Sequence, residues 1–219
     1  MTNRTIHVRG VGRAAQVPDT VVVTLALTAR NSEYSAAMKI GSQQVEMLRE
    51  AIGDVGFDAD DLKTTNFDVR IISEDEEYRE GNVKRCRQIV VGFECRHDLK
   101  LAFDMDSDKL NAAVDAIANC LSSPTISIAF TVKDPDAFAD KILTAAARDA
   151  ERKAKILCAA AGVKLGKLIR VDYPCDELTR NEVRLNNQVV LGASTDTAFD
   201  FRPDDVTATD AADFVWEIE

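Results

Sequence analysis

The chain has 219 residues, of which 46% are hydrophobic and 29% are charged, the composition of an ordinary globular protein. This length favours a single domain over residues 1–219. The formal net charge of -10 at pH 7 repels phosphate backbones and anionic lipid, so we expect no nucleic-acid partner. No window approaches the roughly 18 apolar residues of a spanning helix, so we expect no membrane insertion.

The first residues contain no apolar run of signal-peptide length, and Ile6 and Val8 already alternate as they would in a strand. We therefore expect a cytoplasmic protein, or a periplasmic or envelope protein if a signal peptide has been trimmed from the sequence. The five cysteines are odd in number and include no C-x-x-C pair, which favours reduced thiols. They are Cys86, Cys95, Cys120, Cys158 and Cys175.

Apolar residues alternate with polar ones in seven segments, and this period of two predicts β-strands. One-sided alternation is typical of an antiparallel sheet with one packed and one wetter face. The apolar positions are Ile6 and Val8; Val21, Val23, Leu25 and Leu27; Phe67, Val69 and Ile71; Ile89, Val91, Phe93 and Cys95; Ile126, Ile128, Phe130 and Val132; Ile169, Val171 and Tyr173; and Phe214, Trp216 and Ile218.

Three segments between the strands have helical spacing. The first begins at a Ser32 cap and ends at Gly53 and Gly56, and the second ends before Pro124. The third begins with Asp134-Pro135 and ends at Gly162. Their apolar stripes are Ala37, Gly41, Val45, Leu48, Ile52 and Val55; Leu110, Val114, Ile117 and Leu121; and Phe138, Ile142, Ala145, Ile156 and Ala160.

The resulting order is β-β-α-β-β-α-β-α-β-β. It predicts an α+β fold, a mainly antiparallel sheet of about seven strands with three helices and two βαβ-like halves. Two segments lack apolar periodicity and are expected to be loose: residues 73–87, a charged link within a long hairpin, and residues 176–205.

The long second link precedes the last strand, whose apolar face of Phe214, Trp216 and Ile218 must be buried. That strand completes its own sheet, or a sheet edge beside it pairs with another copy of the chain. These three residues are therefore the candidate assembly strand, and we expect a homo-oligomer.

No catalytic, cofactor-binding or metal-binding constellation is apparent, so we expect no enzymatic activity and no cofactor. The Gly10-Val11-Gly12 segment leads into a strand, which predicts a bend or bulge rather than a dinucleotide site. Residues 104–108 (D-x-D-x-D) lack the EF-hand glycine and favour an acidic helix start. Cys86, Cys95 and His97 match no zinc spacing, and a satisfied core or edge histidine is the favoured interpretation.

Cys86 is the one candidate redox thiol. Lys84, Arg85 and Arg87 surround it in an expected loop, and positive charge favours the reactive thiolate. The acidic residues 74–77 lie nearby and counter this effect, so a loop cysteine with no role is the competing interpretation.

Several segments, in order, resemble the SIMPL domain family. Residues 6–12, followed by Val17-Pro18-Asp19-Thr20 and an alternating strand, look like the start of that domain. Residues 62–67 resemble the segment after its first long helix, and Leu165-Gly166-Lys167-Leu168 is similar to its late motif. Val91-Gly92-Phe93 departs mildly from a Gly-Tyr pair that the family often has there.

This resemblance extends from about Thr5 to Glu219 and implies a bacterial protein whose relatives are often found in periplasms and envelopes. Some relatives are associated with oxidative-stress defence, some assemble into rings, and an animal relative is a kinase-pathway adaptor. The resemblance implies no catalytic residues. The expected function is therefore non-enzymatic interaction or assembly, linked to stress defence. The alternatives are a thiol-based oxidative-stress protein acting through Cys86 and a metal-dependent hydrolase.

Overall fold

The computed structural model describes residues 4–80, 83–173 and 201–219, without the side chains of residues 79, 80 and 83. Within these ranges the elements follow the predicted order. The strands are β1 (Thr5–Gln16), β2 (Thr20–Asn31), β3 (Lys63–Glu80), β4 (Val83–Asp104), β5 (Thr125–Thr131), β6 (Leu165–Asp172) and β7 (Val206–Ile218). The helices are α1 (Tyr34–Asp54), α2 (Ser107–Asn119) and α3 (Pro135–Ala161), with a 3₁₀ turn at Ala59–Asp61.

The α+β fold class is confirmed, with the strands distributed over two antiparallel sheets. The described residues divide into two compact units, while folding as a single domain over residues 1–219 stays a prediction. Cys175 and residues 176–200 of the second predicted loose segment lie outside the described residues. In the described ranges, no helix is long and apolar enough to cross a membrane.

The first unit comprises residues 4–19, 130–173 and 203–219 and contains α3 with a sheet in the order β1-β7-β6. The final strand is the middle strand of this sheet, so it completes the sheet of its own chain. Its side chains Phe214 and Trp216 are buried against α3, and Ile218 is half-buried. Their core cluster consists of Val8, Ala150, Ala154, Ala212, Phe214 and Trp216. Assembly through this strand stays a prediction, and β7 itself is paired on both sides.

Helix α3 has the predicted ends: the Asp134 side chain accepts a hydrogen bond from the Ala137 N–H at 2.8 Å, and Gly162 closes the helix at φ 71°. The predicted apolar stripe is partly wrong, because Ile156 is 56% exposed. Residues four apart lie above one another on a helix, and here such a row faces the sheet. The row is Phe138, Ile142, Ala146, Ala150, Ala154 and Cys158.

The predicted bend or bulge at Gly10-Val11-Gly12 is also wrong. Gly10 and Gly12 pair with β7 without a break in register. A Cβ on Gly12 would overlap the Ile142 carbonyl oxygen and lie 2.7 Å from the Ala146 nitrogen. These glycines therefore allow the backbone of α3 to approach β1 closely.

The second unit comprises residues 20–80, 83–129 and 201–202 and contains a sheet in the order β3-β4-β2-β5. This is the strand order of a split β-α-β-β-α-β fold, in which two strand–helix–strand segments interleave. Its core includes the inward face of β2 and the stripe Ala37, Gly41, Val45, Leu48 and Ile52 of α1, which the sequence predicts correctly.

The ends of the two helices in this unit differ from the sequence predictions. Glu33, not Ser32, precedes α1, and its N–H donates to the Asn31 side-chain oxygen. The Asp106 side chain caps α2 by accepting hydrogen bonds from the backbone N–H groups of Asp108 and Lys109, which agrees with an acidic helix start. Leu121 lies beyond the end of α2 and is 89% exposed.

Candidate interaction surface

The β3–β4 hairpin extends past the rest of its sheet. Strand β2 ends at Asn31, which pairs with Phe93, so in the described residues the part of β4 before that point pairs only with β3. We call residues 73–80 and 83–91 the arm. At 3.3 Å per residue it extends for about 25 Å. Since β3 is itself the edge strand, the arm has two open edges within the described part of the chain.

The predicted loose link over residues 73–87 is therefore corrected, because residues 73–80 and 83–87 are paired strands. The hairpin itself is as predicted. A two-stranded ribbon without a packed face has no inward side, so its side chains need not alternate between apolar and polar. The segment consequently has the composition of a loop although it forms a strand.

A β-bulge lies at the base of the arm. The β3–β4 register shifts after Ile72, which pairs with Gly92, and Ser73 then pairs with Val90. Val91 is the extra residue. The bulge coincides with the end of β2, where a Cβ on Gly92 would lie 2.8 Å from the Asn31 carbonyl oxygen. It also explains why the predicted buried face through Ile89 and Val91 is wrong before Phe93, since a bulge changes which residues share a face.

Exposed apolar side chains lie at this bulge and along the neighbouring edge strand β3. Ile71 is 59% exposed and Val90 is 60% exposed, and Phe67 and Val91 are also classed as exposed. We call these four residues the base patch. Isolated apolar residues on a surface are ordinary, whereas several along one edge of a sheet make that edge a candidate interaction surface.

In addition to their backbone pairing, the two strands of the arm contact each other through charged side chains. Arg87 lies 2.6 Å from the Glu76 carboxylate and 5.3 Å from the centre of the Tyr78 ring, and Lys84 lies 3.4 Å from Glu77. These groups are well exposed, so each contact is worth at most about 1 kcal/mol. Such contacts set the pairing of the ribbon but leave it only marginally stable without further burial.

Charge in the arm is sorted by strand. The four consecutive acidic residues 74–77 and Glu80 lie on β3 with one basic residue, Arg79, whereas Lys84, Arg85 and Arg87 lie on β4. One open edge is therefore acidic and the other is basic.

Cys86 lies in β4, opposite Glu77, and is an exposed free thiol. It is in a strand rather than in the predicted loop. The basic neighbours that would favour a thiolate are partly engaged, since Lys84 contacts Glu77 and Arg87 contacts Glu76. The positive charge around this thiol is thus smaller than the sequence alone indicates.

Cys95 and His97 lie on the helix-covered face of β4 and do not meet Cys86, which is roughly 30 Å away along the strand. Burial raises the pKa of the Cys95 thiol and lowers the pKa of His97. The His97 ring bonds the Thr64 hydroxyl at 2.8 Å, as a satisfied edge histidine would. No three His, Cys, Asp or Glu side chains are grouped so as to hold a metal ion in the part of the chain that the structure describes.

The outer edge of β1, in the first unit, is occupied by side chains of α3. The Val11 N–H donates to the Asp149 carboxylate at 3.0 Å, and the Lys153 ammonium donates to the Arg9 carbonyl at 3.1 Å. We call Asp149 and Lys153 the edge latch. Charged side chains on an edge strand are a common means of preventing further strand pairing.

Hydrogen bonds from Lys153, the Val11 N–H and Arg152 lower the pKa of Asp149 well below its ordinary value. A lowered carboxylate pKa stabilises the fold at every pH above the ordinary value of about 3.9, and that contribution is lost only as the pH falls through the lowered value. The Asp149 carboxylate therefore remains charged over the whole physiological range.

A protein-family model described as "SIMPL: Protein of unknown function (DUF541)" matches residues 6–216. No curated protein matches the chain.

Proposed function

Because the chain belongs to the SIMPL family, whose function is unknown, we propose that it is a non-enzymatic module that acts by binding further copies of itself through the arm. The observation that supports this proposal is a ribbon with two open edges and an exposed apolar base. No catalytic role is assigned to any residue.

The arm has two unfavourable features that a second chain would remove by covering it: unpaired backbone groups and exposed apolar surface. The open edges present unpaired N–H and C=O groups, which bind another strand readily. Covering the base patch adds the hydrophobic term, at roughly 25 cal/mol per Å² of apolar surface buried. A partner gains both the backbone hydrogen bonds and the apolar burial only if it contributes a strand. Another copy of this chain contributes one.

We expect the purified chain to elute as an oligomer whose mass, measured by light scattering, exceeds that of the 24.0 kDa chain. The double variant Ile71→Ser, Val90→Ser should shift the mass toward the monomer, because it removes apolar burial at the base patch. Its effect on folding should be small, since both side chains are more than half exposed.

Leu121→Ser is the matched control, because Leu121 is equally apolar and still more exposed but lies after α2, away from the arm in sequence. It should leave the mass unchanged. A monomeric wild-type chain over a wide concentration range would rule out self-association.

A thiol-based role in oxidative-stress defence is the alternative function, and the exposure of Cys86 is the observation that favours it. We expect Cys86 to react with a maleimide probe as an ordinary exposed thiol does, because Lys84 and Arg87 contact carboxylates. Labelling measured against pH, with Cys86→Ser as the blank, checks this. Half-maximal labelling well below pH 7 would support the thiol function instead.

A further inference from the structure

The sorting of charge between the two strands of the arm indicates how copies associate. We propose that the chains bind head to tail, with the acidic β3 edge of one arm pairing with the basic β4 edge of the arm of the next copy. This inference rests on the proposed self-association and specifies its geometry.

Three edge pairings are available to two arms: β3 with β3, β4 with β4, and β3 with β4. The first brings the carboxylates of residues 74–77 against their own copies, and the second brings Lys84, Arg85 and Arg87 together. Like charges on directly opposed strands are destabilising, whereas opposite charges are stabilising. Only the β3–β4 pairing places the acidic run at residues 74–77 opposite the basic residues Lys84, Arg85 and Arg87.

The arm already contains one example of this pairing within a single chain. Strands β3 and β4 are antiparallel, with Glu76 opposite Arg87 at 2.6 Å and Lys84 reaching Glu77 at 3.4 Å. Antiparallel addition of the next arm repeats the same acidic-on-basic arrangement at the interface. The result is a continuous ribbon in which acidic and basic strands alternate.

Such an interface is heterologous, since it uses two different surfaces of the same chain. Each copy then has one surface that donates and another that accepts, so association does not stop at two copies. It continues until a ring closes, or forms an open filament if the rotation does not close. An isologous pairing of identical edges would instead give a closed dimer.

Charge reversal on one strand at a time tests this geometry. The basic-arm variant, Glu76→Lys with Glu77→Lys, makes the contacting positions 76, 77, 84 and 87 all basic, and the acidic-arm variant, Lys84→Glu with Arg87→Glu, makes these four positions all acidic. We expect each variant alone to need at least about tenfold more protein for half-assembly than the wild type, because its edges then repel their own copies.

An equimolar mixture of the two variants should regain the wild-type mass, since the acidic edges of one complement the basic edges of the other. A fourth chain with all four reversals restores complementarity within each arm and between arms, and it should assemble alone. Circular dichroism on every variant, compared with the wild type, verifies that the fold is retained.

The outcomes separate the inference from the proposed function. A monomeric wild-type chain overturns both. A wild-type dimer that grows no further, or a fourfold variant that keeps its fold but stays monomeric, overturns head-to-tail pairing and leaves self-association standing. High-yield oxidation of the wild type to a Cys86–Cys86 dimer, absent in Cys86→Ser, would likewise indicate paired β4 edges and contradict the inference.

Discussion

Replacing Gly12 with alanine should lower the free energy of unfolding by about 3 kcal/mol, the upper end of the range for inserting a group into a packed interior. The added methyl would overlap the Ile142 carbonyl oxygen and lie 2.7 Å from the Ala146 nitrogen. Both are backbone atoms of α3, so no side chain can rotate away to relieve the overlap. Urea denaturation followed by circular dichroism measures the change.

Gly53→Ala is the control for this substitution. Gly53 lies in the last turn of α1, and a Cβ there would meet nothing within 4 Å. Alanine is favoured over glycine in a helix by up to about 1 kcal/mol, so this variant should be unchanged or more stable. Equal losses at both glycines would contradict the close approach of α3 to β1.

Replacing Trp216 with alanine should cost about 3–5 kcal/mol of stability, the usual range for truncating a buried aromatic residue. Trp216 is 7% exposed, and its ring stacks on Phe214 with centroids 5.5 Å apart. The substitution leaves a cavity between the middle strand of the first sheet and α3. Thermal or urea unfolding monitored by circular dichroism detects the loss without using tryptophan fluorescence.

Val171→Ala provides the comparison on the neighbouring strand. Val171 lies on β6 and is 45% exposed, so its truncation should change stability by about 0.5 kcal/mol or less. If Trp216→Ala instead lowered the native mass while leaving stability intact, Trp216 would be an assembly contact rather than a core residue.

The features that the sequence predicts correctly depend on residues close together in the chain. Asp134, Pro135 and Gly162 determine the ends of α3 by hydrogen-bonding and backbone preferences that act over a few residues. The alternation in β2 likewise predicted a one-sided core strand, and the element order followed from these local patterns.

The remaining features depend on partners distant in the sequence. Gly10 and Gly12 are explained only by the backbone of α3, more than 120 residues later. The buried row of α3 was misassigned because alanines occupy many adjacent positions, so hydrophobicity cannot separate Ala145 from Ala146. No local rule indicates which of them faces the sheet.

The candidate surface was missed for a different reason. The sequence predicts a loop around Cys86, in which the neighbouring charged residues would modify the reactivity of the thiol. In the structure, residues 74–77 and residues 84–87 lie on opposite strands of one ribbon. The charges therefore make one edge of the ribbon acidic and the other basic. The bulge at Val91 could not be predicted because it depends on where β2 ends.

The edge latch limits the number of further strands that can pair with the first sheet. A sheet grows without limit only if both outer strands accept a further strand, and the outer N–H of Val11 and carbonyl of Arg9 are already bonded to Asp149 and Lys153. In the part of the chain that the structure describes, β6 is therefore the edge of this sheet that lacks such bonds, and growth through that edge would terminate after a single addition. The arm, by contrast, has two open edges in the described residues. Under the proposed head-to-tail pairing, the first sheet terminates growth and the arm propagates it, so the arm determines the length of the polymer.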